Sequence, residues 1–249
     1  MIPEAVLTAL RLTQAVGETA QHQGLPQPPL EWPYDPQATL IPLPSIDDLK
    51  PPAADLWQIM AQRRTLRHYA EQPLTLDELA LLLWATQGVR QVTKRPATLR
   101  TVPSAGARHA FETLLLVNRV TGLGKGVYRY LALRHALLPY EADPEIAQRL
   151  YRACYEQEHI LSSAVTFFWV AVAERMTWRY GARGLRYLFL DAGHVCQNLY
   201  LAAEGLGCGV CAIGAFDDDA LNPALNLDGS TAFVVYGATV GKRAPRPHE

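Results

Sequence analysis

The stretch YGARGLRYLFLDAGHVCQNLYLAAEGLGCGVCAIGAFDDD, residues 180–219, decides how the chain folds. From 184 to 206 apolar residues recur at 185, 188, 189, 192, 195, 196, 199, 202, 203 and 206, the i, i+3, i+4 spacing of a helix face, and Gly207 closes the run. Tyr187, Leu190, Tyr200 and Leu201 occupy the remaining face, so this helix is apolar on nearly all sides and must be covered on nearly all sides. In a chain of 249 residues a second copy of the chain is the simplest cover. The same run carries Arg186, Asp191, His194, Gln197, Asn198 and Glu204, which fits a buried helix of a water-soluble protein and not a membrane span. Beyond it, VCAIG at 210–214 predicts a short strand and DDDALNPAL at 217–225 a capped helix.

The Cys208-Gly-Val-Cys211 motif inside this stretch raises a chemical question. A redox pair belongs at a helix start, where the dipole lowers a thiol pKa. This pair follows a helix and enters a strand. A zinc site needs a second pair of ligands, but Cys154 stands alone and His194-Val-Cys196 lies within the helix. The cysteines therefore read as small apolar residues in a glycine-rich turn.

The flanking sequence supplies the other layers. VTFFWVAVA at 165–173 is a continuous apolar run, the signature of a central strand. Strands are also expected at TLLLVNRV, GVYRYLALR and AFVVYGATVG. PLTLDELALLLWATQGV predicts a helix with Thr75 as N-cap, Glu78 completing a capping box and Gly88 as the stop. DLWQIMAQRR is expected to be helical, and a further helix is expected from Asp143-Pro144 to about Glu156. Interleaved helices and strands without an internal repeat predict an α+β or α/β class. Residues 1–52 differ. A short N-terminal helix is followed by a proline-dense stretch, expected to be an extended arm across this subunit or a partner. Residues 53–249 form the expected main domain.

Composition limits the function classes. Net charge is −1 with 19% charged residues, so no global basic field draws the chain to nucleic acid. Neither a signal peptide nor a membrane span is evident. Four cysteines make no disulfide framework, which points to the cytoplasm. There is no GxSxG nucleophile motif, and His109, His159 and His194 are scattered. Gly122-Leu-Gly-Lys-Gly126 lies between two strands and reads as a hairpin turn, not a nucleotide loop. Two segments carry possible chemistry. Arg63-Arg64-Thr65-Leu66-Arg67 is either a solvated basic helix end or a clamp of guanidinium forks for phosphate, with Lys242-Arg243 a second cationic pair; charge alone leaves both open. Pro103-Ser104-Ala105-Gly106 is a turn of small residues that admits a flat ring close to the backbone.

Taken in order, RRTLRHY at 63–69, PSAGARH at 103–109, the run 180–229 and VGK at 240–242 resemble the nitroreductase-like FMN-dependent oxidoreductases, in particular the subgroup with the SagB-type azoline dehydrogenases. The resemblance covers residues 55–243. It implies an α+β fold with a mostly antiparallel central sheet, in a domain-swapped homodimer with two FMN sites at the interface. It implies that Arg63, Arg64, Thr65 and Arg67 hold the FMN phosphate, ribityl chain and pyrimidine edge, with Lys242 and Arg243 adding to the phosphate site. By the same resemblance Pro103, Ser104, Ala105 and Gly106 come from the other subunit, and Ile213, Gly214 and Ala215 line the ring with a backbone N–H near flavin N5. NAD(P)H would reduce the flavin and a small-molecule acceptor would reoxidise it, with no metal. The azoline oxidases are associated with a Lys-Tyr pair; the nearest pairs are Arg179-Tyr180 and Arg186-Tyr187, so Tyr180 and Tyr187 are the candidate proton-handling groups. Azoline oxidation, flavin breakdown and non-redox binding on the same fold stay open beside nitroaromatic or quinone reduction.

Overall fold

In the computed structural model of the protein, residues 18–244 and Glu4 are described; the expected N-terminal helix otherwise lies outside the described residues. A seven-stranded sheet forms the centre. Its strands are β1 (Ile41–Pro42), β4 (Phe111–Val117), β5 (Gly126–Leu131), β6 (Ala136–Glu141), β7 (Val165–Val172), β8 (Cys208–Ile213) and β9 (Ala232–Lys242), in the order β1-β6-β5-β4-β7-β9-β8; β2 (Val89–Val92) and β3 (Thr98–Arg100) make a separate hairpin. Every neighbouring pair in the sheet is antiparallel, as the α+β expectation requires.

β7 explains its unbroken apolar sequence. All eight of its residues are buried, between β4 on one side and β9 on the other. Side chains alternate across a strand. Val165, Phe167, Trp169 and Ala171 join one core cluster, and Phe168 and Val170 join the second. The first cluster is covered by α2 (Leu76–Gln87) and α6 (Gly184–Gly205), the second by α3 (Ile146–Ala153) and α7 (Asp218–Ala224). The Thr75–Glu78 capping box is present, Asp55 caps α1 (Leu56–Gln62), and Asp217 caps α7.

One expected helix is shorter than its sequence suggested. α3 begins at Ile146, not at Pro144, and ends at Ala153. Tyr155 and Glu156 adopt φ of 52° and 55°, a left-handed backbone that no helix can continue through. A separate short helix, α4 (His159–Ser162), follows.

The proline-rich arm lies across its own subunit. Its carbonyls are collected by two buried guanidiniums. Arg129 donates to Pro33 O at 3.2 Å and to Trp32 O, and Arg175 donates to Pro29 O at 2.8 Å. Glu112, itself buried, pairs with both arginines at 3.1 and 2.6 Å and accepts from Trp32 N at 2.8 Å. Further along, Ile41–Pro42 extends the sheet on β6. Prolines explain the extended shape. The carbonyls they leave unpaired explain why charged donors hold it.

Among the described residues no helix is long and apolar enough to cross a membrane, and no cluster of histidine, cysteine and carboxylates suits a metal.

Candidate functional site

The expected site residues gather at the two ends of α6. After α1 the chain runs extended along β8 and the end of β9. Leu66 N donates to Val210 O and Ala70 N to Lys242 O, both at 2.9 Å. Two glycines make this possible. A Cβ on Gly209 would lie 2.5 Å from Leu66 Cδ1, and one on Gly241 would lie 2.7 Å from Tyr69 Cγ. The chemical point of Cys208-Gly-Val-Cys211 is thus its glycine. Cys208 and Cys211 are both buried and free, and burial pushes the Cys208 thiol up to about 11, away from reactivity.

This docked segment presents its cations. Arg64 and Arg67 are exposed, and Arg63 lies with its guanidinium 5.1 Å from the centre of the Tyr200 ring. Among the described residues none of the three pairs with a carboxylate. Lys242 and Arg243 differ: Lys242 pairs with Glu78 and Arg243 with Glu204, so both charges are already matched inside the protein. Tyr200, a residue the sequence reading did not assign, ties the site together. Its hydroxyl meets Thr65 Oγ1 at 3.0 Å and accepts from Ala212 N at 3.0 Å. The only sequence signal for it was an aromatic residue on the second face of the long helix.

β8 ends in this region. Ile213 is buried, and Gly214 and Ala215 are exposed. The Ala215 and Phe216 N–H groups have no acceptor among the described residues. Three guanidiniums that pair with no carboxylate among the described residues, a hydroxyl, backbone donors and a loop of small residues form a donor set suited to a phosphate joined to a flat ring.

The other end of α6 carries the remaining candidates. Ser104 Oγ accepts from His109 N at 2.9 Å, and Ala105 N donates to Asp191 Oδ1 at 3.2 Å. Gly106 sits at φ 57°, and a Cβ there would lie 2.5 Å from Tyr180 Oη. The Tyr180 and Tyr187 rings meet edge-on with centroids 4.6 Å apart. Asp191 Oδ2 is buried with no hydrogen-bond partner among the described residues, and burial raises this carboxyl above its usual range. From Asp191, which meets Ala105, to Tyr200, which meets Thr65 and Ala212, the helix rises about 14 Å. Among the described residues no hydrogen bond or ion pair joins residues 103–106 to residues 63–67 or 213–215. None of these residues lines the cavity of about 600 Å³ between the arm at Pro42–Asp47, Trp84 and His135.

Residues 60–242 match the profile of the Nitroreductase family. A Methanocaldococcus jannaschii protein named as a nitroreductase is 37% identical over 187 residues, 75% of this chain and 89% of the relative. The trifolitoxin-processing protein of Rhizobium leguminosarum is 29% identical over 180 residues, 66% of this chain but 47% of its own length. A solved Anabaena variabilis structure with a nitroreductase title matches with TM-score 0.68 and 30% identity, covering 84% of this chain and 42% of that one. The chain thus spans about half or less of these last two proteins. A Desulfovibrio desulfuricans structure solved with FMN shares the fold, with TM-score 0.55 and 18% identity over 78% of this chain and 93% of that one.

Proposed function

The chain belongs to the nitroreductase family of oxidoreductases, and from that membership we propose that it is an FMN-dependent enzyme in which NAD(P)H and a nitroaromatic, quinone or related acceptor react in turn. The observation that carries this reading is the pairing of Arg63, Arg64 and Arg67, uncommitted to any carboxylate, with the exposed Gly214–Ala215 loop and its free N–H donors.

Arg63, Arg64, Arg67 and Thr65 would bind the phosphate and ribityl chain through charge-assisted hydrogen bonds. Ile213, Gly214 and Ala215 would lie against the ring and offer a backbone donor at N5. Lys242 and Arg243 act at longer range, because their charges are shared with Glu78 and Glu204. Bound FMN supplies the hydride chemistry, and the protein supplies binding and orientation.

The site is proposed to be completed by a second copy. Phe189 and Leu190 at one end of α6 are each 54% exposed, and Trp57 on α1, which packs near the other end, is 77% exposed. In a two-fold dimer the first patch of one subunit faces the second patch of its partner. That arrangement brings Pro103, Ser104, Ala105 and Gly106 to the partner's 63–67 and 213–215. The domain is taken as residues 53–249 with the arm at 1–52. Its four cysteines suit the reducing cytoplasm.

FMN titration tests the assignment. Arg63→Ala and Arg67→Ala should each weaken binding by about 1.5–3 kcal/mol, the scale of a charge-assisted hydrogen bond. Unchanged affinity removes that residue from the site.

A second reading rests on the similarity to the trifolitoxin-processing protein and on the Tyr180–Tyr187 pair packed against Gly106. In it the enzyme oxidises a thiazoline or oxazoline ring of a modified peptide, with one tyrosine handling the proton. Tyr180→Phe or Tyr187→Phe should then abolish peptide oxidation and spare quinone reduction.

A further inference from the structure

The loop at 214–215 has almost no side chain with which to hold itself. Glycine has none and alanine has a methyl group. Its position is set from outside. Gln157 Nε2 donates to Ala215 O at 2.8 Å and to Cys154 O at 2.8 Å, and Asp217 N donates to Ala153 O at 2.8 Å. Gln157 is in turn held by a chain of side chains leading into the core. Its Oε1 lies 3.2 Å from His159 Nε2; His159 Nδ1 lies 3.2 Å from Thr239 Oγ1; Thr239 Oγ1 lies 2.8 Å from Tyr69 Oη, which donates to Leu66 O at 2.7 Å. His159 and Thr239 are buried.

The donors fix the direction of this chain. The Gln157 amide nitrogen is spent on carbonyls, so its oxygen accepts, and His159 donates from Nε2. Neutral His159 then accepts at Nδ1 from the Thr239 hydroxyl, so Thr239 Oγ1 can only accept from Tyr69, whose single proton is shared between Thr239 Oγ1 and Leu66 O. Cys211 Sγ, 3.7 Å from Nε2, is a weak second acceptor. Burial, reinforced by Arg67, holds the His159 pKa down and so keeps the ring in this neutral form.

We propose that Gln157 and His159 are positioning residues that lock the flavin-facing loop at Ala215 to the phosphate-facing segment at Leu66. The proposal rests on the FMN reading of those two segments. The N–H and C=O of one peptide unit point in opposite directions. Fixing the Ala215 carbonyl on Gln157 therefore turns the Phe216 N–H away from Gln157 and leaves it free as a donor. The network touches no reacting atom. It sets where the donors are and leaves phosphate binding to the arginines.

The test compares wild type with Gln157→Met, which is nearly isosteric but cannot hydrogen-bond, and with His159→Leu and His159→Gln. In the FMN-free protein, amide exchange across 213–217 should speed up about tenfold in Gln157→Met and in His159→Leu, the effect of losing one hydrogen bond, and stay near wild type in His159→Gln. In the FMN-loaded dimer, the same two variants should show a shifted flavin spectrum and midpoint potential and slower reduction by NAD(P)H, while FMN affinity changes less than about threefold because the arginine contacts remain. If wild type takes up FMN and Gln157→Met and His159→Leu match it in exchange, spectrum and potential, the positioning role is overturned and the flavin reading stands. If wild type takes up no FMN, the flavin reading and the proposal fall together.

Discussion

The two ends of α6 are built differently. At its C-terminal end the 63–70 segment, β8, β9 and Tyr200 are bound to one another by backbone pairing and hydroxyl bridges inside one chain. At its N-terminal end the 103–106 turn leaves Asp191 Oδ2 buried with no partner among the described residues, and Phe189 and Leu190 stand open to solvent. One end is paired within the chain. The other has the features of a surface still to be covered. If the two ends hold halves of one site, as proposed, a second copy lying alongside the helix is what would join them.

This contrast can be broken at either end. The largest effect is expected from Gly241→Val or Gly209→Val. Each puts a side chain where Tyr69 or Leu66 already lies, at a cost of about 1–3 kcal/mol in stability, and lifts the arginine segment off the sheet. Thermal melts should show the destabilisation and titration should show FMN affinity falling more than about tenfold. Next is Leu190→Glu, remote from every arginine of the site. It should give a monomer by size-exclusion chromatography and lose FMN together with the dimer. A monomer that keeps FMN at full affinity would locate the whole site in one chain.

A smaller effect concerns His109, buried in the 103–109 turn, with its pKa pushed down to about 3 by burial and by Arg100 and Arg108. Its folded pKa lies below the unfolded value of 6.5. The unfolded chain therefore binds the proton more readily, and stability that is full above about pH 6.5 falls as pH drops towards 3. Denaturant melts from pH 8 to 4 should show this loss, and His109→Asn, which tolerates the positive φ, should flatten it. The smallest effect is expected from Cys208→Ala combined with Cys211→Ala. Flavin reduction should stay within about threefold of wild type, since burial raises both thiol pKa values and neither is a nucleophile. Loss of reduction with FMN still bound would restore a thiol role.

Much of this was legible in the sequence because it is local. The periodicity of 184–206, the Thr75–Glu78 box and the apolar run of β7 each depend on residues within a few turns or one strand. The basic 63–67 cluster was legible as charge. What the sequence concealed depends on distant partners. The neutralisation of Lys242 by Glu78 and of Arg243 by Glu204 joins residues far apart in the chain. The path of the arm is set by Glu112, Arg129 and Arg175, which the proline pattern does not reveal. Gly209 and Gly241 look like ordinary strand glycines until Leu66 and Tyr69 are seen over them. His159 read as one of several scattered histidines and is the centre of a buried network. The early end of α3 at Ala153 comes from a left-handed turn that no breaker residue announces.

The most direct measurement is the visible spectrum of the purified protein before and after anaerobic addition of NADH or NADPH. The protein should be yellow, with a flavin band that bleaches on reduction and returns when a quinone or nitroaromatic acceptor is added. A colourless protein that stays colourless after incubation with FMN would contradict the FMN assignment.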